Sequence, residues 1–408
     1  MNGMVGDSAQ DLTVETARAR LLARVNPVAG TERLPLGQAV GRVLAEPIIA
    51  PFALPREDNS ALDGYALCGS DAIVGRRLRI IGRALAGAPW SGTVAPGTCL
   101  RLMTGAVMPA GADTVIAQES VQVEDGWITL QEGLKPGDNV RRAGEDLPEG
   151  HEAVPTGRSL EARQIALMAA LGIGVATVVR PVRVGILSTG SELRPFGEVL
   201  APGDLYDSNR PMLAALLQRP TVALEDLGWV PDDPRQLAAR LGQGADLDLL
   251  IASGGVSVGE ADWVRPVLAE RGHLDFWRVA IKPGRPLAFG RLGQSWFLGL
   301  PGNPVSAYVT FHLFVLPVLE RLAGMPVRPL VNLRAPLLAP LRHRPGRTSF
   351  LRARWERAAE GAWGVFPFPG QGSAMLSSLA QADCLIELPA ERASFEVGES
   401  VKVWRLPG

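Results

Sequence analysis

Between residues 182 and 306 the chain repeats one pattern three times: a short apolar run, an abrupt break into glycine beside hydroxyl or carboxylate residues, then a helical stretch. Val182-Arg-Val-Gly-Ile-Leu187 runs into Ser188-Thr-Gly-Ser-Glu-Leu193, and Asp248-Leu-Leu-Ile-Ala252 runs into Ser253-Gly-Gly-Val-Ser-Val-Gly-Glu-Ala-Asp262. Ser295-Trp-Phe-Leu-Gly-Leu300 runs into Pro301-Gly-Asn-Pro-Val-Ser306, with an apolar helix over Val305 to Leu322 and Pro304 near its first turn, where a missing N–H costs nothing. Short apolar runs closed by glycine read as buried strands, and in an open α/β sheet ligands bind beyond the C-terminal ends of such strands. One glycine loop alone is equally a tight turn. Three of them ahead of helices point to one shared crevice. Glycine lets backbone N–H groups approach an anion, and Asp and Glu are the oxygen ligands that Mg²⁺ prefers, so the crevice suits a phosphorylated ligand carried with a divalent metal.

The remaining composition narrows the chemistry. A length of 408 residues, 47% hydrophobic and 20% charged, predicts two to four globular domains with substantial cores. A net charge of −1 gives no global field for nucleic acid or an anionic membrane, so an anion site has to be local. Cys68, Cys99 and Cys384 have neither zinc spacing nor a disulfide framework and read as reduced. His151, His273, His312 and His343 never cluster, which disfavours a histidine metal centre or a Ser-His-Asp triad. No secretory leader is visible in Met1 to Gln10, and the apolar stretch Ile165 to Val179 is too short to span a bilayer. The expected compartment is the cytoplasm. Only three lysines accompany 38 arginines, and one of them, Lys282, lies in Ile281-Lys-Pro-Gly284. In so arginine-rich a chain, that lysine reads as a compact ammonium suited to phosphate as a point charge, against the alternative of an ordinary surface lysine.

Along the chain, Leu12 to Ala45 reads as mostly helical, with Thr13 as N-cap and Glu15 to Val25 amphipathic. Residues 59–139 read as β-rich, and a helix is expected near Leu160 to Leu171. Strands near Val182, Val222, Leu249 and Phe297 alternate with helices near Arg210 to Leu217, Pro234 to Leu241, Ala261 to Glu270 and Val305 to Leu322. Asp233-Pro234 reads as a capping pair, which leaves Asp232 free to face the crevice. From Met325 onward prolines and alternating runs predict a small all-β domain.

Seven segments together resemble the molybdopterin molybdenumtransferases, the MoeA family related to the gephyrin E domain. They are Asp58-Asn-Ser-Ala-Leu-Asp-Gly-Tyr-Ala66, Arg101-Leu-Met-Thr-Gly-Ala106, Arg142-Ala-Gly-Glu-Asp146, Ser188-Thr-Gly-Ser-Glu-Leu193, Gly254-Gly-Val-Ser-Val-Gly-Glu-Ala-Asp262, Ile281-Lys-Pro-Gly-Arg-Pro286 and Pro301-Gly-Asn-Pro-Val-Ser-Ala307. The resemblance implies a multidomain α/β-plus-β architecture. An elongated discontinuous domain (7–50 and 147–180) carries an inserted β-rich domain (51–146). A central α/β open-sheet molybdopterin-binding domain (181–326) and a C-terminal β domain (327–408) follow. It further implies insertion of molybdate into the dithiolene of adenylyl-molybdopterin with release of AMP, dependent on Mg²⁺.

By motif position Asp63, Glu192, Asp262 and Lys282 become candidate catalytic residues, and Glu192, Asp232 and Asp262 candidate metal ligands. Substrate contacts fall to Thr104, Ser188, Thr189, Gly190, Gly254, Gly255, Ser257, Gly259, Pro301, Gly302, Asn303, Pro304 and Ser306. Each has a plainer reading: Asp63-Gly64 is also a turn, Asp262 also a helix cap, and the Pro301–Pro304 segment also a capped helix start. Ser191 departs from the family pattern, which commonly has Asp there, and so removes one candidate carboxylate. Implied partners are a second copy of the chain, an adenylyltransferase-type protein supplying the substrate, and molybdoenzyme maturation factors. Neither nucleic acid nor membrane is expected. Molybdopterin adenylylation and a non-catalytic cofactor-binding scaffold are the alternative functions, and tungstate is the alternative metal oxyanion.

Overall fold

Residues 11–255, 264, 267, 272–327, 333–358 and 361–406 are described in a computed structural model. Asp262, Ser257 and Gly259, and the expected helix over Ala261 to Glu270 apart from Val264 and Val267, lie outside the described residues. The chain forms two compact units, residues 46–156 with 161–176, and residues 1–45 with 157–160 and 177–408.

Thr13 caps helix α1 (Val14–Arg24), its hydroxyl accepting from the Thr16 N–H, and Val14, Ala17 and Leu21 form the buried stripe. The helical expectation for Leu12 to Ala45 fails beyond that point. Pro27 and Gly30 interrupt the period and the chain turns into strand β1 (Thr31–Pro35) followed by a short 3₁₀ turn. Gly30 has φ +109°, a left-handed conformation that breaks a helix.

The smaller unit is built on a six-stranded sheet of β2 (Gly64–Leu67), β3 (Arg77–Ala84), β4 (Thr98–Leu102), β5 (Thr114–Ala117), β6 (Val121–Glu124) and β7 (Trp127–Leu130). Its order is β5-β2-β4-β3-β7-β6. Alternation sends Tyr65, Leu67, Leu78 and Ile116 into one core cluster and Ala66, Leu100, Leu102 and Val115 into another, so the sheet is covered on both faces. Helix α2 (Ala162–Ala170) begins with a capping box of Glu161 and Gln164.

The larger unit contains the α/β domain: β8 (Val182–Thr189), α3 (Asn209–Leu216), β9 (Val222–Val230), α4 (Pro234–Gln243), β10 (Leu249–Ser253), β11 (Gly272–Arg278), β12 (Ile281–Lys282), β13 (Pro286–Leu292), β14 (Ser295–Leu300) and the helix α5 (Pro304–Leu322). The sheet order is β9-β8-β10-β14-β13-β11, with the first four strands parallel and the last two antiparallel. Asp233 caps α4 by accepting from the Gln236 N–H, as Asp-Pro predicts. Val184, Ile186 and Ile251 pack toward α1, α3 and α5, while Leu187, Leu250 and Ala252 pack toward α4. Helices on both faces explain why these strands read as unbroken apolar runs.

Helix α5 is long and apolar enough to cross a membrane by length and composition, but 72% of it is buried as the core helix of this domain. It contains one π turn over Phe311–Val315, just before Pro317, whose missing N–H leaves the Leu313 carbonyl without its usual partner. His312 lies in that turn against Tyr308 and Phe311. Burial, with the Arg219 charge adding, pushes its imidazole from 6.5 down to about 4. The folded protein therefore holds His312 neutral, and protonation favours the unfolded chain. Its contribution is complete above pH 6.5, declines as pH falls from there toward about 4, and is constant below. The loss is on the order of 3 kcal/mol. Measured by denaturant unfolding, the stability difference between the protein and His312→Phe should shift by that amount across the window. A constant difference would show that the site hydrates on protonation.

The C-terminal sheet is β12-β16-β18-β19-β15, formed with β15 (Leu333–Pro336), β16 (Thr348–Arg357), β18 (Cys384–Leu388) and β19 (Ser400–Arg405). Strand β17 (Trp363–Pro367) pairs with β16. The two-residue strand β12 is thus an edge strand of this sheet, with Ile281 opposite Thr348 and Lys282 opposite Ser349. It ties the α/β domain to the C-terminal domain.

Candidate active site

Parallel pairing places Ser188 opposite Ser253, Ser253 opposite Leu300, and Thr189 opposite Val230. Four loops therefore leave the sheet side by side at the C-terminal strand ends, and they border one cleft of about 1430 Å³. Ser188, Thr189, Gly190, Glu192, Asp232, Gly254, Gly255, Lys282, Pro301, Gly302, Asn303, Pro304 and Ser306 all line it. Every described site residue of the larger unit named from the sequence is therefore brought together.

Glycine is required where these loops approach one another. Gly254 has φ +91°, and a Cβ there would stand 2.5 Å from the Thr189 carbonyl oxygen. Its N–H donates to the Leu300 carbonyl at 3.1 Å, linking the β10 and β14 loops. The loops after β8 and β9 are joined more tightly. Trp229 Nε1 donates to the Gly190 carbonyl at 2.7 Å, the Ser191 N–H to Asp232 Oδ2 at 3.0 Å, and the Asp232 N–H to Ser191 Oγ at 2.9 Å. Ser191 thus anchors Asp232 where the family pattern has another carboxylate. Glu192 folds back so that a Cβ on Gly190 would meet its carboxylate at 2.6 Å. Two carboxylates, Glu192 and Asp232, face the cleft from adjacent loops.

The cations come from elsewhere. Lys282 projects from β12, and Arg347 from the residue just before β16; neither forms an ion pair among the described residues. Arg285 also lines the cleft but is held in a two-pronged pair with Asp11, at 2.8 and 2.9 Å, and that pairing raises its guanidinium pKa. The start of α5 meets the C-terminal domain where the Val305 N–H donates to the Ser373 carbonyl at 3.0 Å. Pro304 occupies the first helical turn as predicted, and Ser306 is buried.

Sequence reasoning missed Asp207, Asn209, Arg347 and the 371–374 loop, all of which line the cleft. Asp207-Ser-Asn209 shows only a helix-start signal locally, and Asp207 Oδ1 indeed accepts from the N–H groups of Asn209 and Arg210, both at 3.1 Å. The 371–374 loop reaches the cleft through pairing of β12 with β16, which no local pattern announces.

Asp63 and Thr104 belong to the smaller unit and are hydrogen-bonded to each other there. The Asp63 carboxylate accepts from the Thr104 N–H and from its hydroxyl, both at 2.7 Å. The backbone bond, followed by the hydroxyl bond, holds that carboxyl below its ordinary value.

The fold is thus an open α/β sheet with a large cleft at its strand ends, walled by glycine loops, two carboxylates and the cations Lys282 and Arg347, beside a β domain. Family models match the chain over residues 12–172 (MoeA N-terminal region, domain I and II), 185–321 (probable molybdopterin binding domain) and 334–406 (MoeA C-terminal region, domain IV). Among relatives, a molybdopterin molybdenumtransferase of Haemophilus influenzae is 40% identical, with 96% of this chain and 98% of the relative covered. A molybdopterin molybdenumtransferase of Synechococcus elongatus is 36% identical, with 96% and 99% covered. The crystal structure of a molybdopterin biosynthesis MoeA protein from Pyrococcus horikoshii superposes with a TM-score of 0.84 at 30% identity, covering 97% of this chain and 100% of that one. The chain belongs to the MoeA family of molybdopterin molybdenumtransferases, enzymes of molybdenum cofactor biosynthesis.

Proposed function

We propose that the strand-end cleft binds adenylyl-molybdopterin and molybdate, that molybdate is joined to the dithiolene, and that AMP leaves. The observation carrying this reading is the division of the cleft wall. Lys282 and Arg347 offer unpaired positive charge, and the glycine loops expose backbone donors, which together suit a phosphate anhydride and an oxyanion. Glu192 and Asp232 suit a divalent cation. Mg²⁺ is commonly held by one or two carboxylates together with substrate phosphates, so two groups suffice. When bound, Mg²⁺ would neutralise charge on the anhydride.

Sulfur ligation is left to the substrate. Cys68, Cys99 and Cys384 all lie outside the cleft, and burial pushes the Cys99 and Cys384 thiols up to about 12, so they stay protonated. Purified protein given adenylyl-molybdopterin, molybdate and Mg²⁺ should form cofactor able to activate a cofactor-free molybdoenzyme, with AMP released in step. AMP release without metal insertion would overturn this reading. The same assay with tungstate sets the preference between the two oxyanions. The cytoplasm is the compartment this chemistry requires, since it keeps dithiolene and thiols reduced.

The reading extends to assembly as a homodimer in which Asp63 and Thr104 of one subunit serve the cleft of the other. Asp63→Ala and Lys282→Ala proteins should each keep no more than about one per cent of wild-type activity. After subunit exchange half the dimers are mixed, each with one intact cleft, so about a quarter of wild-type activity should return. A monomer by light scattering, or no recovery after verified exchange, defeats the shared cleft.

A further inference from the structure

Three residues lining the cleft carry a buried polar atom without a partner among the described residues: Asn209 Oδ1, Ser188 Oγ and Thr189 Oγ1. Thr189 follows Ser188 in β8 and leaves the sheet on the opposite face, so the first two stand apart from it. Asn209 is 8% exposed and Ser188 1%. The Asn209 amide is oriented by its neighbours: Nδ2 donates to Ser253 Oγ at 2.7 Å and to the Gly302 carbonyl at 2.7 Å. A carbonyl only accepts, so the nitrogen faces Gly302 and Oδ1 is left over. Ser188 and Ser253 are register partners in parallel strands, so their side chains leave the sheet on the same face. Asn209, the first residue of α3, is bonded to Ser253 on that face, which gathers all three groups in one place.

Buried polar atoms without partners are costly, and a fold retains them where something else satisfies them. The pair has a definite complementarity. Asn209 Oδ1 is acceptor-only and repels phosphate, molybdate and carboxylate oxygens, but fits an N–H. The Ser188 hydroxyl can donate to an acceptor beside that N–H. We propose that Asn209 and Ser188 form a recognition subsite for the amino-bearing edge of a fused nitrogen heterocycle, in which an exocyclic NH₂ adjoins a ring acceptor. This rests on the molybdopterin reading above, whose substrate carries two such edges, one on the pterin and one on the adenine.

The test measures binding of two ligand pairs to the full-length protein: a 2-amino-4-oxopteridine against its 2,4-dioxo analogue, and AMP against IMP. Wild type should prefer the amino-bearing member of one pair by roughly ten-fold, because the analogue leaves Oδ1 unpaired. A preference in the pterin pair assigns the subsite to the pterin, and one in the nucleotide pair to the adenine. Ser188→Ala should weaken that ligand's binding by roughly ten-fold. Its melting temperature should be unchanged or raised, since the hydroxyl it removes has no partner among the described residues. Asn209→Ala should abolish the preference; if loss of the Ser253 and Gly302 contacts unfolds it, wild type and Ser188→Ala still decide. Absence of a preference in both pairs, or wild-type affinity in Ser188→Ala, overturns the proposal; the latter is expected if a buried water alone satisfies both atoms. Cofactor formation by wild type is assayed in parallel. Failure there removes the molybdopterin reading, whereas cofactor formation with no amino preference removes only the subsite.

Discussion

Arg352→Met is expected to destabilise the C-terminal domain by about 3–5 kcal/mol and to loosen one wall of the cleft. Arg352 is fully buried, and no carboxylate pairs with it among the described residues. Its donors go to one loop and one hydroxyl: Nη2 to the carbonyls of Gly370 (2.9 Å) and Gly372 (3.0 Å), Nη1 to that of Gln371 (3.4 Å), and Nε to Ser378 Oγ (3.0 Å). Gln371 reciprocates, its side chain accepting from the Arg352 N–H at 3.0 Å and donating to the Arg352 carbonyl at 2.9 Å. Burial lowers the guanidinium's pKa, yet an arginine remains charged at neutral pH. Methionine fills similar volume but leaves three loop carbonyls without a donor. Denaturant unfolding should register the loss, and binding of molybdate or AMP should weaken because Gln371, Gly372 and Ser373 line the cleft. An unfolding midpoint near that of wild type would mean that water replaces the guanidinium and that the loop is held by other contacts.

The strand-end loops were legible because the physics that makes them is local. A parallel strand covered on both faces must be apolar throughout, and it must break where backbones crowd, as Gly254 does against Thr189. Asp233-Pro234 and Pro304 were legible for the same reason, since capping and a missing N–H act within one turn. The long helical reading of Leu12 to Ala45 failed because it weighed apolar spacing above Pro27 and Gly30. Arg352 was illegible: it lies in a run whose residues from Ser349 to Ala353 are all buried, and an arginine in such a run reads as outward-facing until its loop partners are known. Asn209 was hidden behind the helix-start signal of Asp207. The antiparallel edge of the α/β sheet and the docking of β12 on β16 depend on pairings distant in sequence, which local periodicity does not encode.

Lys282→Ala should lower kcat/KM for cofactor formation by roughly 10²-fold with the fold intact, the scale on which a preorganised charge contact acts. The side chain is exposed to the cleft, so its removal creates no cavity. Its backbone, by contrast, is held firmly. Ile281 is fully buried, β12 pairs with β16, and the Thr348 N–H donates to the Ala280 carbonyl at 2.8 Å. Gly284, two residues on, fits so closely under α5 that a Cβ there would stand 2.7 Å from Thr310 Cγ2. The ammonium is therefore carried on a fixed base between two domains, with no carboxylate paired to it among the described residues. An arginine at this position keeps the charge but spreads it over a wider planar fork, which does not reproduce the compact point contact of an ammonium. Lys282→Arg should accordingly recover only a minor part of the activity, with the larger penalty in the apparent affinity for molybdate and in its salt dependence. Recovery to within about two-fold of wild type would reduce the role of Lys282 to net charge alone, in keeping with a solvent-screened contact.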